Sequence, residues 1–191
     1  MWDSVFIEYI RMNKDTIRAM MQEMRASLDE DAMWLASEAI VEKISGLSAY
    51  QKARTVLFYC PFNNEVEITA LIKQAFSQKK VCLPRVGPDE GAMTARRVYD
   101  LSEAEIDRYG ILAPPEDAPE EAPQDIDFVA VPLVAFDENL HRIGYGGGYY
   151  DRFLPKCVNA FKCGVAYSFQ KIPKIDADAH DMKLDMVVTD I

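Results

Sequence analysis

The chain has only two histidines in 191 residues, His141 and His180. Two are too few for a histidine-built zinc centre, and both are read as structural or solvent-facing. Its four cysteines, Cys60, Cys82, Cys157 and Cys163, form no C-x-x-C pair, and the spacing of the last two fits neither a zinc nor a redox motif. Cys60 and Cys82 sit in the apolar runs TVLFYC and KVCLP, where a thiol behaves as a small buried hydrophobe. A reducing compartment accounts for such cysteines. Positive charge is also scarce: 21 Lys and Arg against 31 Asp and Glu give a net charge of −10. That balance repels nucleic acid and anionic lipid at long range, so neither is expected as a partner, whereas a local basic pocket still suits an anionic small molecule. No segment reaches the roughly 18 apolar residues that span a bilayer. The stretch MWDSVFIEYIRMNKD lacks the basic-then-apolar order of a secretion signal. A serine nucleophile elbow and a reactive cysteine context are missing as well. A soluble, cytoplasmic protein is the expectation.

What is present suits one α/β domain spanning residues 1–191. A chain of this length, 49% hydrophobic, can build one full core but not two comfortable ones. The spacing predicts a helix from about Asn13 to Ser27, with Ile17, Met20, Met21, Met24 and Leu28 on one apolar stripe. Lys14, Arg18 and Arg25 lie within about 40° of one another on a helical wheel and make a cationic edge beside that stripe. Ser27-Leu-Asp-Glu30 reads as a capping box that opens a second helix. That helix has Met33, Trp34, Ala36, Ile40, Val41 and Ile44 as core positions and ends at Gly46. TVLFYC (55–60) is predicted as a strand buried on both faces, PFNNE as a turn and 66–78 as a helix. KVCLPRV (80–86) and MTARRVY (93–99) are predicted as strands, the second less buried. The Pro- and acid-rich stretch 114–123 has nothing to pack and reads as an exposed loop. DFVAVPLVAF (127–136), the longest apolar run, is predicted as a single central strand. A short helix stopped near Pro155 follows, then strands at 163–168 and 186–190. Strands alternating with helices imply a three-layer α-β-α sandwich around a mostly parallel sheet.

In such a sheet, ligands bind beyond the C-terminal ends of the strands. The segments PFNNEVE, PRVG and SFQ fall there, as does the glycine-rich loop RIGYGGGYYD (142–151). Glycines at 144, 146, 147 and 148 let backbone N–H groups close around an oxyanion. A helix starting at Tyr149 or Tyr150 would point its N-terminus at the same anion. Arg142 adds charge-assisted hydrogen bonds, and Asp151 is placed to hold a magnesium ion against phosphates. The loop matches neither the P-loop pattern nor the dinucleotide fingerprint. Glycines alone are equally compatible with a flexible turn; with Arg142, Tyr149, Tyr150 and Asp151 beside them, the loop is read as a cradle for a nucleotide's phosphates.

The stretch VPLVAFDENLHRIGYGGGYYDRFL closely resembles the signature of the 5-formyltetrahydrofolate cyclo-ligase family. Lys14-x-x-x-Arg18, Asn64-Glu65-Val66-Glu67, LPRV (83–86), Met93, Asp127, Gln170, Pro173, His180-Asp181-Met182 and DMVVTD (185–190) follow in family order. Two positions depart: Leu133 stands where the family usually has glycine, and Ala113-Pro114 where it often has Glu-Pro. The resemblance implies that 5-formyltetrahydrofolate and MgATP give 5,10-methenyltetrahydrofolate, ADP and phosphate through phosphorylation of the formyl oxygen. It implies that Lys14, Arg18, Arg142 and the loop residues Gly144, Tyr145, Gly146, Gly147, Gly148, Tyr149 and Tyr150 bind ATP. Glu65, Phe62 and Tyr150 would then bind folate, Arg142 and Tyr150 would act in catalysis, and Asp151 and Asp181 would hold Mg²⁺, with Asp185 as the alternative to Asp181. A monomer or weak homodimer acting on small molecules is expected. The competing readings are a non-catalytic folate or nucleotide binder and a family relative acting on another N-formyl substrate.

Overall fold

The computed structural model describes residues 12–87, 92–178 and 181–191. The first element, α1 (Lys14–Ala26), starts where the Asn13 side chain accepts the Thr16 N–H, as an N-cap residue should. Ser27 does not open the next helix. It closes α1, and Asp29 caps α2 (Glu30–Gly46) by accepting the Ala32 N–H. The Ser27 hydroxyl donates back to the Met24 carbonyl at 2.8 Å, so it is unavailable as an N-cap. Trp34 is also not a core residue: it is 57% exposed, because α2 buries the line Ser37, Ile40 and Ile44. Met24 on α1 likewise faces solvent, and Arg25, predicted on a cationic edge, is 1% exposed. A short α3 (Ser48–Lys52) leads into β1 (Thr55–Leu57). The helix expected over 66–78 contracts to α4 (Thr69–Ala75), with the Glu67 carboxylate accepting the Thr69 N–H at 2.7 Å.

The chain continues through β2 (Lys80–Val86), β3 (Met93–Val98), β4 (Glu105–Ile106), β5 (Leu112–Ala113) and β6 (Glu120–Glu121). It ends through β7 (Phe128–Pro132), β8 (Ala135–Phe136), β9 (Arg142–Ile143), α5 (Tyr149–Phe153), β10 (Phe161–Val165) and β11 (Met186–Val188). The main sheet has the order β11-β10-β7-β1-β2-β3-β6. Strands β11, β10, β7, β1 and β2 are parallel, while β3 runs antiparallel to both β2 and β6.

Period-two alternation sends each strand's side chains to opposite faces. Val56, Phe58, Phe128 and Ala130 pack on one face with Ile40 and Ile44 of α2 and Leu71 and Ile72 of α4. Leu57, Val129 and Val131 pack on the other with Phe153, Leu154 and Cys157. These are the three layers expected. Helix α1 packs elsewhere, its Ile17 and Met21 against Val134, Ala135 and Ile143.

Two regions depart from the sequence reading in ways that shape the site. The run 127–136 is not one strand. It leaves the main sheet after Pro132, and β8 pairs instead with β9 in a separate two-stranded sheet. The carbonyls of Leu133 and Val134, freed at the break, accept the Gln170 side-chain amide at 2.9 and 2.8 Å, so both of these acceptors are paired. The stretch 114–123 is not wholly an exposed loop either, because β6 adds an edge strand to β3 and Arg96 of β3 donates to the Ala118 carbonyl at 2.7 Å.

The break also explains how Leu133 fits. A Cβ built on Gly164 of β10 would lie 2.9 Å from Leu133 Cδ2 and 2.6 Å from Leu184 Cδ1. Leu133 therefore fills space that glycine at 164 leaves open. Gly164→Ala is expected to overpack this contact and destabilise the protein by about 1–3 kcal/mol in urea unfolding. An unchanged unfolding midpoint would show that the two leucines move aside at no cost.

Candidate active site

A turn built on Asp137 places Arg142 in the site. Its buried carboxylate accepts the backbone N–H groups of Asn139 (2.9 Å), His141 (3.0 Å) and Ile175 (3.0 Å), and the His141 ring lies 3.2 Å from its second oxygen. His141 is thus structural; His180 lies outside the described residues. Leu140 takes φ +64° to close the turn, and β9 then delivers Arg142 and the glycine loop beyond the C-terminal ends of β1 and β7. Gly148 caps α5 at φ +66°, and a Cβ there would come within 2.7 Å of the Arg152 guanidinium. Only glycine supplies this left-handed entry without strain.

One cavity of about 760 Å³ opens at this end of the sheet. Every residue assigned to a ligand from the sequence, the alternative Asp185 excepted, lines it. Lys14 and Arg18 come from α1, Phe62 and Glu65 from the turn after β1, and Arg142 from β9. Gly144, Tyr145, Gly146, Gly147 and Gly148 come from the loop, Tyr149, Tyr150 and Asp151 from α5, and Asp181 from the segment before β11. Asp185 does not: its carboxylate accepts the Lys162 N–H at 2.7 Å and serves as a strand-end cap.

The cations are already engaged. Arg142 is 6% exposed, and its Nη2 donates to Asp151 Oδ1 at 2.8 Å. Burial pulls its pKa below the ordinary arginine value, with Asp151 opposing. Lys14 Nζ contacts both Asp178 and Asp181 at 2.7 Å. Burial pulls Lys14 down, but these two carboxylates outweigh it and hold the amine above its usual pKa. Arg18 Nε donates to the Gly144 carbonyl at 2.8 Å, clasping the glycine loop to α1. Two buried polar atoms at the site, Arg142 Nε and the Tyr150 hydroxyl, have no hydrogen-bond partner among the described residues. A buried polar group of this kind costs stability unless something pairs with it, so both are candidate donors to a bound ligand. Burial raises the Tyr150 hydroxyl well above the ordinary tyrosine pKa, keeping it protonated as a donor.

Glu65 follows two residues in the left-handed region, Asn63 (φ +48°) and Asn64 (φ +56°), a conformation asparagine tolerates better than most. One carboxylate oxygen accepts the Phe62 N–H at 3.1 Å and the other the Tyr145 hydroxyl at 2.6 Å. Burial raises the pKa of Glu65, opposed by Tyr145, Arg25 and the Phe62 N–H. The sequence reading did not assign Asp178, Arg152 or Tyr109 to the cavity, yet all three line it. Tyr109 meets Tyr149 hydroxyl to hydroxyl at 3.0 Å. Asp178 was findable by its distance of three residues from Asp181, whose carboxylate accepts its N–H at 2.9 Å. Tyr109 gave no signal, since its hairpin reaches the loop only in three dimensions.

A mostly parallel α/β sheet with a charged cavity at its C-terminal edge has the architecture of a small-molecule site. Residues 10–190 match the 5-formyltetrahydrofolate cyclo-ligase family. The mouse 5-formyltetrahydrofolate cyclo-ligase is 29% identical over 187 residues, covering 92% of each chain. The Escherichia coli K12 enzyme of the same name is 33% identical over 142 residues, 72% of this chain and 78% of that one. The NMR structure of Aquifex aeolicus 5,10-methenyltetrahydrofolate synthetase superposes with a TM-score of 0.83 at 35% identity, covering 94% of this chain and 90% of its own. The chain belongs to the 5-formyltetrahydrofolate cyclo-ligase family and is a ligase. Among the described residues, no helix is long and apolar enough to cross a membrane.

Proposed function

We propose that the protein uses ATP and Mg²⁺ to convert 5-formyltetrahydrofolate to 5,10-methenyltetrahydrofolate, releasing ADP and phosphate. The observation that carries this reading is the meeting, in one cavity, of the cations Lys14, Arg18 and Arg142 with a separately anchored carboxylate, Glu65. The cations and the glycine loop suit a triphosphate. Glu65 suits the adjacent N–H donors of a pterin ring, with Phe62 beside it.

In the reaction, the formyl oxygen attacks the γ-phosphorus, and the bond from that phosphorus to the ADP oxygen breaks. N10 then attacks the formyl carbon and loses its proton, and phosphate departs with the former formyl oxygen. Such chemistry needs mainly alignment and charge neutralisation. Arg142, desolvated and held by Asp151, supplies the second, and the Tyr150 hydroxyl, without a partner among the described residues, is available to orient an oxygen of either substrate. Phosphate oxygens would compete with Asp151 for Arg142 and with Asp181 for Lys14.

The residues fit a magnesium ion. Asp151 and Asp181 are hard oxygen donors at one rim, with the Met182 N–H reaching Asp151 at 3.5 Å, and Mg²⁺ usually takes one or two carboxylates plus phosphate oxygens. When bound, the ion neutralises phosphate charge. Asp151→Asn is expected to raise the magnesium concentration needed for half-maximal rate by about tenfold, roughly the cost of weakening one charged ligand. A magnesium titration superimposable on that of the unmodified protein would remove Asp151 from the metal site. The overall reading is tested by the near-ultraviolet absorbance of the methenyl product. Absorbance should rise only when both MgATP and 5-formyltetrahydrofolate are present. Binding of folate without turnover would favour a non-catalytic role.

A further inference from the structure

Arg25 has no assigned role in the proposed reaction, yet among the described residues it is the largest fully buried side chain, at 1% exposure. Its Nη2 donates to the Tyr145 hydroxyl at 2.7 Å, its guanidinium lies 5.5 Å from the centre of the Tyr145 ring, and Tyr145 in turn donates to Glu65 at 2.6 Å. The Arg25 backbone carbonyl accepts the Asn64 side-chain amide at 3.3 Å. Arg25 thus touches both the tyrosine that grips Glu65 and the asparagine that precedes it. Its Nε and Nη1 have no hydrogen-bond partner among the described residues, an arrangement that costs stability.

We infer that Arg25 and Tyr145 are positioning residues that hold the Glu65 carboxylate aimed at the pterin, and that they tie this carboxylate to the phosphate-binding loop. The inference rests on the assignment of Glu65 to folate. Three elements meet in this relay: α1 supplies the charge, the glycine loop supplies the hydroxyl, and the Asn63-Asn64 turn supplies the carboxylate. The other titratable groups facing Glu65 are Tyr59 and Cys60 after β1 and Tyr150 of α5, with the Tyr167 hydroxyl 3.4 Å from the Glu65 carbonyl. All stay neutral near pH 7, because burial pushes Cys60 up to about 12 and raises the tyrosines. Arg25 is therefore the cation that this carboxylate feels most directly. Tyr145, although part of the glycine loop, contributes its side chain to the folate half of the site.

The test is steady-state kinetics across pH with Arg25→Met, Arg25→Lys and Tyr145→Phe in the full chain. Met keeps the length of the stem and Phe keeps the ring, so each removes little besides the polar group. KM for 5-formyltetrahydrofolate should rise about five- to tenfold in Arg25→Met and Tyr145→Phe, the usual cost of one net hydrogen bond, while KM for ATP stays within about twofold. The acid limb of kcat/KM for folate should move to higher pH in Arg25→Met, since losing a cation disfavours the carboxylate, and should return toward the parent's in Arg25→Lys. Lowered thermal stability with an unmoved acid limb and unchanged folate KM would overturn the inference. So would equal loss of ATP and folate. An inactive parent protein would instead count against the reaction itself. If Arg25→Met does not fold, Tyr145→Phe alone decides.

Discussion

Replacing Arg142 with alanine is expected to lower kcat/KM for ATP by on the order of a thousandfold, the lower end of what a catalytic arginine contributes to phosphoryl transfer. KM for 5-formyltetrahydrofolate should change far less. The guanidinium is buried, fixed by Asp151 at 2.8 Å, and still carries an unpartnered Nε. A charge held in that way has little left to reorganise when the transferring phosphoryl group becomes more negative. Removing it also strands Asp151, so the unfolding midpoint must be measured alongside the rate. Arg142→Lys restores the charge but not the planar fork, and should recover only part of the loss. Equal loss of ATP and folate use in Arg142→Ala would contradict the placing of the two substrates on separate groups.

Glu65→Gln should produce the second largest effect, with the opposite selectivity. The amide keeps the size of the side chain but loses its charge and one acceptor oxygen. Truncating one partner of a buried charged hydrogen bond costs about 2–5 kcal/mol, so KM for 5-formyltetrahydrofolate should rise roughly a hundredfold. KM for ATP should hold. Burial raises the pKa of Glu65, and the carboxylate is the form that would accept from a pterin in the proposed role. The rate should therefore fall as pH drops through a value above the ordinary glutamate range. Glu65→Gln should lack that acid limb. Its persistence would assign the titration to another group, and unchanged folate kinetics would remove Glu65 from the folate site.

How legible was this in the sequence? Part of the cavity lining was, because Glu65 falls just after a strand and the glycines lie between β9 and α5, both at the ligand-binding end of the sheet. Lys14, Arg18 and Asp181 were placed by the order of the family resemblance, since a Lys/Arg pair on a helix by itself reads more readily as a solvated edge. What failed required knowledge of partners distant in sequence. The run 127–136 is uniformly apolar and gave no sign that Gln170 would take the carbonyls at a break after Pro132. Stretch 114–123 has no hydrophobic pattern, yet β3 recruits it through backbone hydrogen bonds that composition does not encode. Arg25 was visible as a member of a basic stripe, but the angle that groups it with Lys14 and Arg18 says nothing of depth. Its burial follows from the docking of Tyr145 and Asn64 against α1.

In the proposed reaction, ATP phosphorylates the formyl oxygen. The product lacks that oxygen, so it must leave attached either to phosphorus or to hydrogen. A single turnover with 5-formyltetrahydrofolate carrying ¹⁸O in its formyl group, followed by mass analysis of the inorganic phosphate, decides between them. Phosphorylation of the formyl oxygen leaves one ¹⁸O atom in each phosphate released. Unlabelled phosphate, with the label recovered in water, would contradict it.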